Sequence, residues 1–226
     1  MELREERPLR ELERDVVIFD FDGTIADTKA SILSTATTVL SRWGFGERDL
    51  QRVGELIGPP FPQAFEWVFG LTAEDAVEVT RQYREIYNNL GIEAWPAFPG
   101  IVDLLGELHD AGRTLAVASS KRTYLVERGL ADNGVLNLFD VVCAREADSD
   151  STKADAIREA LERLGRGAGQ AVMVGDRYHD VEAAIACGVP CIGVLYGKTA
   201  DRAELEGAGA AAVVDTVEGL RTLLLT

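Results

Sequence analysis

Cysteine and histidine are scarce in this chain. Among 226 residues there are three cysteines, Cys143, Cys187 and Cys191, and two histidines. No close C-x-x-C pair is present, and so odd and sparse a count fits a reduced, cytoplasmic protein in which each cysteine serves as a small core residue. Two histidines are too few for a zinc site. Long apolar runs are also missing: no stretch reaches the roughly 18 residues of a membrane span. The first fifteen residues alternate Arg and Glu and lack the apolar centre of a signal peptide, so 1–14 read as a charged leader. Positive charge is in short supply. A net charge of −15 argues against a nucleic-acid backbone or an anionic membrane surface as partner. If the substrate is itself an anion, something local must be positive.

What the chain does have is a core, with 46% hydrophobic residues, and acids placed at the ends of apolar runs. Val16-Val17-Ile18-Phe19 is a short β-branched and aromatic run, the pattern of a buried parallel strand. Asp20-Phe21-Asp22-Gly23-Thr24 follows at once. In an open α/β sheet, ligands bind beyond the carboxyl ends of the strands, so both carboxylates are delivered to that place, with Gly23 permitting a sharp turn. A strand-end turn bearing two solvated acids would show the same residues.

Further strands are expected at Thr114–Ala118, Val141–Cys143, Ala171–Val174, Cys191–Val194 and Ala211–Val214, each followed by a turn and a helical pattern. Strands alternating with helices imply a parallel, Rossmann-like sheet. Residues 27–95 differ. They carry helical spacing at Ile32, Ala36, Val39, Leu40 and Trp43, a break at Gly58-Pro59-Pro60, and further helices around 61–69 and 73–90, with no strand. The fold class is therefore α/β, with a parallel-sheet core (1–26 and 96–226) and an all-helical block (27–95) inserted after the first strand.

A second acidic group, Gly175-Asp176 with Asp180, follows the apolar run Ala171–Val174. Carboxylates converging with Asp20 repel one another unless protons or a cation intervene. An oxygen-only ligand set with an open coordination sphere suits Mg²⁺. Asp180 is also read as an acid favoured at a helix N-terminus by the macrodipole. Lys153 opens a helix marked by Ile157, Leu161 and Leu164, with Ser151 or Thr152 as its cap. A lysine in a first turn opposes the macrodipole; an acidic pocket would make the position favourable. Ser119 and Ser120 follow the expected strand at Thr114–Ala118. A hydroxyl and a neighbouring backbone N–H there can grip a phosphate oxygen.

Taken in order, Asp20-Phe-Asp22-Gly23-Thr24, Ser119, Lys153 and Gly175-Asp176 with Asp180 resemble the four motifs of the haloacid dehalogenase superfamily in its phosphatase branch. The resemblance runs from about residue 15 to near the end of the chain, and its helical cap matches 27–95. Ile57-Gly58-Pro59-Pro60, Tyr83-Arg84 through Gly91, Phe98-Pro99-Gly100 and Gly193–Gly197 look like phosphoglycolate-phosphatase-like and bacterial 5′-nucleotidase-like members. The resemblance implies that Asp20 attacks phosphorus and forms an aspartyl-phosphate. It implies Asp22 as general acid and base. Mg²⁺ would be held by Asp20, the Asp22 backbone carbonyl and Asp176, with Asp180 supporting that set. Ser119 and Lys153 would hold the transferring phosphoryl group, while Gly23, Thr24 and Ser120 line the phosphate pocket. The second acid, Asp22, disfavours dehalogenation. Lys29 is the only lysine in the cap and stands at its hinge, so a Schiff-base phosphonatase is disfavoured too. The expected activity is Mg²⁺-dependent hydrolysis of a small phosphorylated metabolite, phosphoglycolate or a nucleoside 5′-monophosphate first. A phosphosugar mutase on the same scaffold and a pyrophosphatase are the alternatives. Gly58-Pro59-Pro60 and Arg84 are the expected substrate-selecting surface, and Asp27-Thr28 with Ala97-Phe98-Pro99 the hinge.

Overall fold

The computed structural model describes residues 14–146 and 151–225; the leader expected over 1–14 lies almost wholly outside them. Six strands form one sheet: β1 (Val16–Phe19), β2 (Thr114–Arg122), β3 (Val141–Arg145), β4 (Ala171–Gly175), β5 (Cys191–Val194) and β6 (Ala212–Val214). Their order is β3-β2-β1-β4-β5-β6 and every pairing is parallel. Val16 pairs with Thr114 on one side and with Ala171 on the other, so β1 is central. The chain winds outward from β1 to β3 and then returns to lay β4 against β1. That reversal opens a crevice between the carboxyl ends of β1 and β4.

Side-chain alternation sorts the core into two layers. Val16, Ile18, Ala116, Ala118, Ala171 and Met173 face one side. There they meet Ile157, Ala160 and Leu161 of one helix and Val181 and Ala184 of another. Val17, Phe19, Leu115, Val117, Val172 and Val174 face the other side, against Ile101, Leu104, Val126 and Leu220. Sheet residues with helices on both faces are apolar at every position, which is why β1, β2 and β4 read as continuous runs.

Between β1 and β2 the described residues 29–95 are helical: α1 (Lys29–Arg42), α2 (Glu47–Leu50), α3 (Gln63–Phe69) and α4 (Ala73–Tyr87), with 3₁₀ turns at Val53–Leu56 and Ile92–Ala94. Expected helices at 61–69 and 73–90 are thus shorter. Pro62 stands at the N-cap of α3, and Asn88-Asn89-Leu90 forms a turn after α4. Rings of Phe65, Phe61, Tyr83, Tyr87 and Trp95 follow one another through this block at centroid spacings from 4.7 to 5.7 Å. The two chain crossings lie side by side, with Ala26 and Ala97 bridged and the Asp27 N–H donating to the Pro96 carbonyl at 2.8 Å.

After β1 and the helical block come α5 (Ile101–Asp110), α6 (Thr123–Asp132), α7 (Lys153–Leu164), α8 (Tyr178–Ala186), α9 (Arg202–Ala208) and α10 (Val217–Leu225). All three cysteines are free. Among the described residues no helix is long and apolar enough to cross a membrane.

Candidate active site

The crevice at the β1–β4 reversal receives its acids from the two strand ends. Asp20 follows β1 directly, anchored by its N–H to the Val174 carbonyl at 2.9 Å. Asp176 follows β4. Asp180 lies in the first turn of α8 and turns back, its Oδ2 accepting the N–H groups of Asp176 at 3.1 Å and Arg177 at 3.0 Å. Lys153 is the first residue of α7, whose start is fixed by Thr152 and Asp155 in a reciprocal capping box. Its Nζ is 2.8 Å from Asp20 Oδ2 and also donates to Asp180 Oδ1. Both Asp180 oxygens are therefore engaged, one on Lys153 and one on backbone, so this carboxylate supports its neighbours. Ser119 is buried in β2, which runs on to Arg122, beyond the expected end at Ala118; its Oγ accepts the Lys121 N–H at 3.3 Å.

Charge is unbalanced here. Carboxylate oxygens of Asp20, Asp176 and Asp180 all lie within 4.8 Å of one another. Burial pushes Asp20 up to about 6; Lys153 pulls it down, but the Asp180 and Asp22 charges add to the rise. Asp176 is held well above the usual carboxylate range by burial, then by Asp180 and Asp20. Burial also opposes the Lys153 charge, yet Asp180 and Asp20 outweigh it, so this lysine stays an ammonium. One oxygen of the cluster, Asp20 Oδ1, is buried with no hydrogen-bond partner among the described residues. An all-oxygen donor set, an orphaned carboxylate oxygen and surplus negative charge together fit a hard divalent cation.

The acids open into a cavity of about 840 Å³ lined by Asp20, Asp22, Ser119, Ser120, Lys153, Asp176 and Asp180 on one side. Gly58, Pro59, Pro60 and Arg84 of the helical block line the other. Gly23 and Thr24, placed in the phosphate pocket from sequence, do not line it. Thr24 is fully buried and its carbonyl accepts the Tyr196 hydroxyl at 2.7 Å. Gly23 is required sterically: its φ is +76°, and a Cβ there would lie 2.1 Å from Asp176 Oδ2. The Asp176 carboxylate occupies the space that any other side chain would need.

Several residues lining or adjoining the cavity escape the sequence reading. Lys121 is buried, and its Nζ donates to Asp22 Oδ1 at 2.9 Å and to the Tyr87 hydroxyl at 3.0 Å. Burial opposes its charge as well, but Asp22 and Tyr87 raise its pKa above the ordinary lysine value. Arg177 bonds Glu204 at 2.8 Å and the Ile57 carbonyl at 3.0 Å. Lys121 and Arg177 therefore tie the sheet domain to the helical block on two sides of the cavity. Thr199 donates to Asp176 Oδ2. Of these, Lys121 carried a sequence signal, standing two residues beyond Ser119 at a strand end. Arg177 likewise follows Gly175-Asp176, whereas nothing local marks Thr199. Four lysines occur in the chain, at 29, 121, 153 and 198; two of the four are spent inside this acidic pocket, where the local positive charge is needed.

Residues 17–194 match the model of the haloacid dehalogenase-like hydrolases. Over 182 residues the chain is 36% identical to a 5′-nucleotidase of Pseudomonas aeruginosa, covering 80% of this chain and 82% of that protein. It is 35% identical over 183 residues to the tyrosine-protein kinase PtkA of Mycobacterium tuberculosis, covering 80% of this chain and 62% of that protein. A crystal structure of a "predicted phosphatase" from Clostridium acetobutylicum superposes with a TM-score of 0.86 at 32% identity, covering 93% of this chain and 97% of that one. A parallel sheet with acids at its central strand ends and a helical insertion after β1, matched over most of its length, places this chain in the haloacid dehalogenase-like hydrolase family, among its phosphatases.

Proposed function

We propose that the protein is a Mg²⁺-dependent phosphatase that hydrolyses a small phosphate monoester, phosphoglycolate or a nucleoside 5′-monophosphate, through an aspartyl-phosphate on Asp20. One observation carries this reading. Asp20 is a buried carboxylate lining the cavity, with Oδ2 fixed by Lys153 at 2.8 Å and Oδ1 without a partner among the described residues. With a pKa of about 6 it is ionised at neutral pH, so the carboxylate is an available nucleophile.

In the first step the Asp20 carboxylate attacks phosphorus and the P–O bond to the ester oxygen breaks. Asp22, entering this step in its acid form, gives its proton to that departing oxygen. In the second step Asp22 takes a proton from water, the water oxygen attacks phosphorus, and the P–O bond to Asp20 breaks. Inorganic phosphate leaves and both carboxyls return to their starting states. Lys121 aims the Asp22 carboxylate into the cavity. Lys153 and the Ser119 hydroxyl hold the phosphoryl oxygens, where a fixed ammonium and a fixed donor stabilise charge that spreads in the transition state. Asp20, the Asp22 carbonyl and Asp176 would hold Mg²⁺, with Asp180 in support; when bound it supplies positive charge that neutralises the phosphoryl oxygens. Residues 27–95 act as a cap over the site, hinging near Asp27-Thr28 and Ala97-Phe98-Pro99, and closure excludes water from the acyl phosphate.

The test is phosphate release from a panel of phosphate esters and pyrophosphate, with EDTA, with Mg²⁺ restored, and with Asp20→Asn. Mg²⁺-dependent release that disappears in Asp20→Asn supports the reading. Full activity in metal-free protein, or near-normal hydrolysis by Asp20→Asn, overturns it. Sustained release of inorganic phosphate also separates a phosphatase from a mutase, which must keep its phosphoryl group away from water.

A further inference from the structure

The cavity is larger than a two-carbon acid needs, and its wall opposite the acids carries apolar side chains. Its volume of about 840 Å³ lies in the upper part of the range that takes drug-sized ligands. Leu56, Pro59, Phe61 and Trp67 line it on the side of the helical block. Trp67 is 67% exposed, the most open of the large hydrophobic side chains among the described residues. An indole left in water beside a cavity is a face awaiting a flat partner.

Helical spacing brings polar groups to the same wall. Gln63 and Trp67 stand four residues apart and share a face of α3. Arg84 and Asn88 stand four apart at the end of α4, and all four line the cavity. The carbonyl oxygens Gln63 Oε1 and Asn88 Oδ1 are buried without hydrogen-bond partners among the described residues. Buried polar atoms are rarely left so. Carboxamides pair with the donor and acceptor edge of a heterocyclic base, and an indole stacks on the face of any base.

Resting on the phosphatase reading, we propose that the leaving group is a nucleoside. Its base stacks on Trp67 and presents its edge to the Gln63 and Asn88 amides, while its 5′-phosphate reaches Asp20. Trp67 and Gln63 are then the residues that set selectivity, and a two-carbon or inorganic leaving group would leave that wall unfilled.

Two measurements test this. First, kcat/KM is measured for AMP, GMP, CMP and UMP against phosphoglycolate, pyrophosphate and acetyl phosphate, in wild type, Trp67→Ala and Gln63→Ala. Wild type is expected to prefer one or more of the nucleotides. In Trp67→Ala the ratio of the preferred nucleotide to acetyl phosphate should fall roughly 10- to 100-fold, mainly through KM. Second, binding of that nucleotide to Asp20→Asn protein is followed by tryptophan fluorescence, which needs no turnover. Saturable quenching that is lost when Trp67→Ala is added supports the subsite. Preference for phosphoglycolate or pyrophosphate, or equal losses on every ester in Trp67→Ala, overturns it and leaves the phosphatase reading standing. Phosphate release from no ester at all removes the phosphatase reading, and the nucleoside leaving group with it. Because Trp67 is exposed, its removal does not threaten the fold.

Discussion

Replacing the proposed nucleophile should make the metal-free protein more stable. Asp20 is buried, and its pKa stands at about 6 against an ordinary 3.8, because burial and the Asp180 and Asp22 charges outweigh the attraction of Lys153. Each tenfold change in ionisation constant is worth about 1.4 kcal/mol, so carrying that charge costs the folded state about 3 kcal/mol. The sign follows from linkage. Below about pH 4 the carboxyl is protonated in folded and unfolded chains alike and costs nothing. The penalty grows as pH rises towards 6 and is complete above about pH 7. Asp20→Asn removes it but also takes one partner from Lys153, which keeps Asp180. A net gain of about 1–3 kcal/mol is expected at about pH 7.5, or roughly 2–10 °C in Tm for a chain of this size. Thermal unfolding in EDTA measures it. The gain should shrink at about pH 5, where wild-type Asp20 is largely protonated. It should shrink again with Mg²⁺, which on the proposed function would stabilise the wild type by binding it. An Asn variant less stable than wild type in EDTA at neutral pH, or a difference independent of pH, would refute the electrostatic account.

Other substitutions probe the same site from different sides. Lys153→Met leaves Asp20 and Asp180 facing each other without their shared cation, and should cost about 3–5 kcal/mol in urea unfolding as well as turnover; a loss below about 1 kcal/mol would contradict the buried pairing. Gly23→Ala places a Cβ against Asp176 Oδ2 at a backbone φ of +76°, and should lower kcat about 100-fold and weaken the Mg²⁺ titration of activity. Lys121→Met releases the Asp22 carboxylate, so the loss of kcat should be greater for esters with poor leaving groups than for good ones. Equal losses across leaving groups would show that Lys121 acts elsewhere.

The sheet and its acids were legible because short parallel strands bury both faces. Val16–Phe19 and Ala171–Val174 announce themselves as apolar runs, and the residue after each run falls at the sheet's carboxyl edge. Helical periodicity without strands likewise marked the insertion. Less legible were contacts made by residues far apart in the chain. Lys121 meets Tyr87 of the helical block, Thr199 meets Asp176, and Arg177 reaches the Ile57 carbonyl. The first and third depend on how the helical block sits on the sheet and the second on where the loop after β5 returns, none of which a local pattern encodes. Trp67 was invisible for a different reason: an aromatic on a helix is ordinarily core, and only the fold shows this one open to the cavity. Thr24 shows the opposite case: it stands beside the Asp-x-Asp motif, and the turn after β1 carries its side chain into the interior.

The account rests on a covalent phosphoryl group at Asp20, and rapid acid quench with a ³²P-labelled ester measures it directly. In Asp22→Asn, where the second step is slowed, the label should reach about one phosphoryl group per chain. It should map to the peptide containing Asp20, be released by hydroxylamine as an acyl phosphate is, and be absent from Asp20→Asn. Steady turnover by the wild type with no labelled chain in either protein, at quench times shorter than one turnover, would contradict the account.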